Sequence, residues 1–276
     1  MKRFKFVISL IALILSVLCV SGIASEAAVQ TIVVSNAREF LEALGSDRII
    51  DMDYTGDYNL SEWEFSDDLK LPEGVRWSET FDGAELILSG IRNLRIEGGG
   101  PDGANSRITV NPRYAFVMKF EYCSDIVING PSVGHTVGGS CAGGVFGFTD
   151  SSRITISYTN MYGCGTEGLT LSNVSDMKVV DSVISSCTYY IMTANGGKNI
   201  SFEDCMFVNN QEFTLVNVTE TRNMSFTNCA FNDNRGEMFD VKDTTVSVSD
   251  SSFNRNNTNS PIQGSRNVEF VNCKFN

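Results

Sequence analysis

One histidine occurs in the 276 residues, His135, and the stretch around it is dense in side chains able to do chemistry. Gly134-His135-Thr136 is followed by Cys141, by Met161-Tyr162-Gly163-Cys164-Gly165-Thr166-Glu167-Gly168, and by Cys187-Thr188-Tyr189-Tyr190. An imidazole, a carboxylate and an amine are the groups that move protons at a reacting centre, so His135, Glu167 and Lys178 are the catalytic candidates. Tyr162, Tyr189 and Tyr190 suit a different task. An aromatic face with a polar tip stacks on a sugar ring and bonds its hydroxyls, which makes the three tyrosines ligand-binding candidates.

The cysteines carry a second pattern. Cys141, Cys164 and Cys187 are each 23 residues apart. Three readings of that spacing compete: a buried ladder of small apolar thiols, a disulfide between neighbours, or a transition-metal site made with His135 and Glu167. No Cys-x-x-Cys spacing supports the metal, and the residues imply no cofactor. Cys205, Cys229 and Cys273 form a second set with Ser251 between the last two, and Cys123 belongs to neither.

A repeat must position these groups. Arg153-Ile154-Thr155-Ile156, Asp176-Met177-Lys178-Val179, Asn199-Ile200-Ser201-Phe202, Asn223-Met224-Ser225-Phe226, Thr245-Val246-Ser247-Val248 and Asn267-Val268-Glu269-Phe270 start 22 to 24 residues apart. A fixed period of this length marks a solenoid. Each unit opens on the apolar–polar alternation of a strand. A polar turn former follows (Asp181, Asp204, Asn228, Asp250, Asn272), then an apolar column (Ile184, Phe207, Phe231, Phe253, Phe275), then Asn210, Asn234 and Asn256. No unit has room for a helix, and the regular leucines of leucine-rich repeats are missing. Stacked strands about 4.8 Å apart, with aromatics filling the interior and asparagines bonding backbone inside the bends, make a parallel β-helix.

Upstream the period stretches, and the surplus is rich in glycine, Gly98 to Gly103 in one coil and Gly138 to Gly144 in the next. Such insertions become loops, expected here on one working face. Asn36 to Gly45 reads as a short amphipathic helix, capped by Asn36 with Glu39 three residues on, that covers the open end of the first coil.

Residues 1–27 run basic, apolar, small, the layout of a secretory signal whose apolar core is too short for a membrane span. Without them the chain keeps 18 basic and 32 acidic residues, a net charge of 18 − 32 = −14. Phosphate backbones and anionic lipid repel such a chain, which argues against nucleic acid and against membrane insertion. Strongly acidic polysaccharides are disfavoured too, unless cations gather locally. The expected organisation is a signal peptide over 1–27, an N-terminal cap over 28–60 and a β-helix over 61–276, in a protein that is secreted or held in the cell envelope.

With these units in view, the sequence resembles the pectin-lyase-like superfamily, specifically the exported bacterial right-handed β-helix repeat proteins. Thr31 to Leu60 is similar to their lead-in strand, cap helix and first coil, and Asn199-Ile200-Ser201-Phe202-Glu203-Asp204-Cys205-Met206-Phe207 is similar to their repeat. The resemblance implies an all-β, right-handed parallel β-helix with an N-terminal capping α-helix. It also implies a bias towards polysaccharides, with no reaction attached to the fold. Polygalacturonases of this fold use clustered aspartates and a Gly-His-Gly segment. Gly134-His135-Thr136 matches that segment in part, and the coils before it hold no Asn-Thr-Asp or Asp-Asp pair. Pectate lyases hold calcium with several carboxylates, whereas Lys178 and Glu203 stand on neighbouring coils as two isolated charges.

The expected function is therefore binding of extracellular or cell-envelope glycan. A polysaccharide lyase or glycoside hydrolase working through His135, Glu167 and Lys178 is the first alternative, and a structural or adhesive surface protein the second. The last unit, Asn267 to Asn276, stops about halfway round a coil with no cap after it. An end-to-end homodimer is the expected way to cover its strand edges.

Overall fold

The computed structural model describes residues 29–100, 104–137, 143–163 and 167–276. Residues 1–27, expected to be a secretory signal, lie outside the described residues, as do Cys141 and Cys164. Within them the chain winds through three parallel sheets of ten, nine and eight strands. One coil reads Lys198–Glu203 in the first sheet, Met206–Val208 in the second and Gln211–Thr219 in the third. Equivalent residues stack in register, as in Ile154↔Met177, Met177↔Ile200 and Ile200↔Met224.

The polar turn formers earn their place through the backbone. Asp181, Asp204, Asn228, Asp250 and Asn272 all have φ between 46 and 54°. That left-handed conformation is tolerated by Asp and Asn because their short side chains bond locally. A second left-handed column runs through the start of the first-sheet strands at Asp125, Arg153, Asp176, Asn199 and Asn223. Its side chains link coil to coil: Asn199 donates to Asp176 (2.7 Å) and Asn223 to Asn199 (2.9 Å).

Inside, phenylalanines stack. Phe202–Phe226, Phe231–Phe253 and Phe253–Phe275 have ring centroids 4.7–5.0 Å apart and nearly parallel planes. At the bend between the second and third sheets, Asn210 Oδ1 accepts from the Cys187 N–H (3.0 Å) while its Nδ2 donates to the Ile184 carbonyl (3.1 Å). Asn234 and Asn256 repeat both bonds one and two coils on. Cys187 thus shares its column with these asparagines, as the spacing predicts.

The second cysteine set sits at the bend between the first and second sheets, where a small donor is wanted. The Ser182 and Ser251 hydroxyls donate to the carbonyl two residues back (2.7 Å each). Cys205 and Cys229 make the same bond, at 3.2 and 3.4 Å, and reach the coil before as well, to Val179 and Phe202. Cys123, Cys205, Cys229 and Cys273 are free thiols, and Cys205 and Cys229 act as serine equivalents in a buried ladder.

At the amino end, the helix Ala37–Ala43 packs Phe40 and Leu41 into the core. Asn36 Oδ1 accepts from the Glu39 N–H (3.0 Å), and Glu39 reaches back to the Ser35 N–H (2.8 Å), one residue earlier than a standard capping box. Arg48 satisfies the helix's last carbonyls, at Ala43 (2.8 Å) and Leu44 (3.1 Å). The third sheet opens with a feature the repeat does not announce: Val75–Glu79 pairs antiparallel with Ala84–Ser89. Among the described residues, no helix is long and apolar enough to cross a membrane.

Candidate functional site

The two glycine-rich insertions leave the stack at different bends, which corrects the expectation of one working face. Residues 98–106 follow the first-sheet strand Arg92–Glu97, and residues 136–145 follow the second-sheet strand Ser132–His135. Where in the coil the extra residues fall decides which bend they widen.

His135 also differs from expectation. Along Ser132–His135 the side chain of Val133 points inward, so His135, two residues on, points inward too. It is 4% exposed, and its Nε2 lies 2.9 Å from the Ala115 carbonyl. Burial holds its pKa below the usual imidazole value, partly offset by that hydrogen bond and by the nearby Asp82 charge. The imidazole anchors a bend through Nε2, and its Nδ1 is buried without a partner among the described residues. Lys178 projects from the first sheet and pairs with Glu203 one coil on (2.6 Å). Glu167 begins the third-sheet strand Glu167–Ser172, where its carboxylate accepts from the Thr170 hydroxyl (2.8 Å). The three catalytic candidates thus belong to three different sheets.

The tyrosines divide as well. Tyr162 lies on the outer face of the second sheet with its ring over Gly134, where an added Cβ would come within 3.0 Å of the ring. Burial raises its pKa, the Arg107 charge opposes the rise and the Asp57 charge adds to it; Arg107 is bound to Asp57 at 2.9 and 3.2 Å. Tyr189 and Tyr190 stand where the chain enters the third sheet, with Tyr190 in register with Glu167. Tyr189 stacks on Phe213 of the next coil, centroids 5.0 Å apart, and Phe213 is 60% exposed.

A second exposed aromatic pair sits at the other end of this bend. Phe81, 87% exposed, meets Tyr114 edge-on at 5.2 Å. The turn that carries Phe81 is fixed by Asp82, whose carboxylate accepts from the Arg113 (2.6 Å) and Tyr114 (3.1 Å) N–H groups. Glu64 lies close by; burial raises its pKa, and the Asp82 charge adds to the rise. Phe81, Tyr114 and Phe213 carry no mark as site residues in the motif pattern. The signal available was that Phe81 and Phe213 fall outside the apolar columns of the repeat.

The outer face of the third sheet runs from this aromatic bend as a polar track of Thr170, Thr193 and Asn217, then Ser172, Asn195 and Thr219. It ends at a groove of about 580 Å³ between the third and first sheets, whose lining includes Gly196, Gly197, Lys198 and Arg222. Such a surface offers rings for stacking and hydroxyl, amide and charged groups for hydrogen bonds.

The family described as "Right handed beta helix region" matches residues 91–231. A pectate lyase from Paenibacillus sp. 0602 superposes with a TM-score of 0.53 at 9% identity, over 82% of this chain and 71% of that one. An alginate lyase from Paenibacillus sp. strain FPU-7 gives a TM-score of 0.46 at 10% identity, over 90% of this chain and all of that one. A polygalacturonase from Erwinia carotovora gives 0.43 at 10% identity, over 90% and 83%. Among curated proteins none matches the chain. Identities this low speak to fold and to nothing finer. The match to residues 91–231, just over half the chain, together with the three stacked sheets, makes this protein a member of the right-handed β-helix family.

Proposed function

We propose that this is an exported β-helix protein that binds an extended carbohydrate chain of the extracellular space or cell envelope at the entrance to its third sheet. In this reading residues 1–27 are lost on export and residues 28–60 cap a β-helix of residues 61–276. The observation that carries it is the stack of half-buried Tyr189 on exposed Phe213, beside Tyr190. This protein buries its other stacked phenylalanines in the core, so an open aromatic pair is a surface kept for something outside. Aromatic rings beside hydroxyl and amide side chains are the composition that sugar rings require.

Binding is favoured over a lyase or hydrolase because His135 is buried and Lys178 is already paired with Glu203. A glycan array on the mature protein, run beside an assay for unsaturated products, tests the reading. Tyr189→Ala and Phe213→Ala should each weaken the array signal at least tenfold with circular dichroism unchanged, and no unsaturated product should form. An array signal indifferent to both changes would remove the aromatic site, and turnover would make the protein an enzyme.

A further inference from the structure

Charge pairing between coils follows a rule in this protein. Arg107 pairs with Asp57, Arg153 with Asp125, Lys178 with Glu203, Arg235 with Glu212 and Arg255 with Asp233, each across one or two coils. Lys70, Arg92, Arg113, Arg266 and Lys274 stand outside it singly, and Lys198 and Arg222 stand outside it together. They are register partners on adjacent coils of the first sheet, both exposed. Neither makes a salt bridge or a side-chain hydrogen bond among the described residues. Like charges stacked directly on one another are destabilising, and a local rule broken without compensation points to function.

Both cations open into the groove at the end of the third-sheet track. Its floor is a one-coil gap. Asn173, Gly196 and Glu220 occupy equivalent left-handed positions (φ 52, 65 and 50°), and Gly196 alone lacks a side chain. A Cβ added there would meet nothing within 4 Å. Two carboxylates share the rim. Asp150 accepts from Asn173 (2.6 Å), and Glu220 stands on the coil of Arg222 without pairing to it. The groove therefore offers two unneutralised cations and two hydrogen-bond acceptors around an open floor.

The strand Tyr190–Asn195 joins this groove to the aromatic bend, with Tyr189 and Tyr190 at its start and Gly196 directly after its end. Six residues at about 3.3 Å each place the two features roughly 20 Å apart on one flat face.

We propose that the groove at Gly196 and Gly197 is a subsite for an acidic sugar residue, and that the bound chain crosses the third sheet along the strand direction, from Tyr189 and Phe213 to Lys198 and Arg222. The cations take one compact anionic substituent, a carboxylate or a sulfate ester, while Asp150 and Glu220 accept from ring hydroxyls. The inference rests on the glycan reading above and adds charge selectivity and direction. A protein this acidic repels polyanions at long range. Two local cations overcome that only within a Debye length, about 10 Å at 0.1 M salt, so an acidic group is admitted at this point and not over the whole surface.

The test uses the full mature chain and three hexasaccharides with one backbone, bearing no charge, carboxylates or sulfate esters, titrated calorimetrically at 50 and 300 mM salt. The wild type should bind at least one acidic form about tenfold more tightly than the neutral one at low salt, with the margin shrinking at high salt. Lys198→Gln combined with Arg222→Gln should abolish the margin, so that the three forms bind alike, while Phe213→Ala should weaken all three and keep the margin. Which acidic form is preferred identifies the substituent. Equal binding of the three forms overturns the subsite and leaves glycan binding standing, as does a margin that survives the double variant. Binding of none of the three removes the glycan reading for this backbone, and the subsite with it.

Discussion

Asn210→Ala tests the architecture at its most connected point. The Asn210 side chain is fully buried, accepts from the Cys187 N–H and donates to the Ile184 carbonyl and to Asn234 Oδ1. Alanine leaves one backbone donor and one backbone acceptor buried without partners, at about 1–3 kcal/mol each. With some relaxation of the bend, the loss should be roughly 2–5 kcal/mol. For a chain of this size, each kcal/mol moves Tm by roughly 2–4 °C, so a drop on the order of 5–15 °C is expected. Asn256→Ala, at the partly exposed end of the same ladder, should cost less, because water can replace the lost partner. Urea titration followed by circular dichroism gives the free energies, and amide exchange at Cys187 reports the freed N–H directly. A loss under 1 kcal/mol for Asn210→Ala, or equal losses at the two positions, would mean that the ladder decorates a bend held by something else.

Phe207→Ala, which opens the interior stack, should cost roughly 3–5 kcal/mol, whereas Phe213→Ala should change stability by less than about 0.5 kcal/mol; urea midpoints compare the two. The single histidine allows a clean pH experiment. His135 is held below its usual pKa when folded, so the unfolded chain binds its proton first, and stability should fall as pH drops below about 6.5. Glu64, raised by burial, acts in the opposite sense at lower pH. Stability measured at pH 7.5 and 5.5 in wild type and His135→Gln isolates the imidazole, and a slope unchanged in the variant would assign the effect elsewhere. Finally, the proposed end-to-end pairing rests on the outer edges of Val268–Val271 and Lys274–Phe275. Sedimentation should show a concentration-dependent dimer that weakens in Phe270→Asp, and a monomer at every concentration would refute it.

The coil was legible in the sequence because a parallel β-helix writes each structural requirement as a column. The left-handed bends read as Asp and Asn at 181, 204, 228, 250 and 272, and the interior reads as Phe at 207, 231, 253 and 275. The site was less legible for two reasons. Residue type was weighed above parity: His135 has the same inward parity as Val133, and Tyr162 lies outward beside the inward Met161. Sequence also lists charges without saying which are answered. Lys178 looks like Lys198 until the coils stack, when one finds Glu203 and the other finds Arg222. The antiparallel pair Val75–Glu79 and Ala84–Ser89 precedes the regular repeat, and no column announces it.

At two bends of the regular coils the side-chain brackets point the same way. Asn210 bonds groups of the coil that contains Ile184 and Cys187; Asn234 and Asn256 do the same one coil on. At the neighbouring bend, Cys205, Cys229 and Cys273 reach back to Val179, Phe202 and Val248. At these two bends each bracket is supplied by the later coil and received by the earlier one, whereas in the first coils Ser46, Ser61 and Asp82 reach forward to the backbone of Arg92, Asn111 and Arg113. The construction is therefore polar in time as well as in space. At these bends a chain delivered amino end first brings each bracket to a coil already in place.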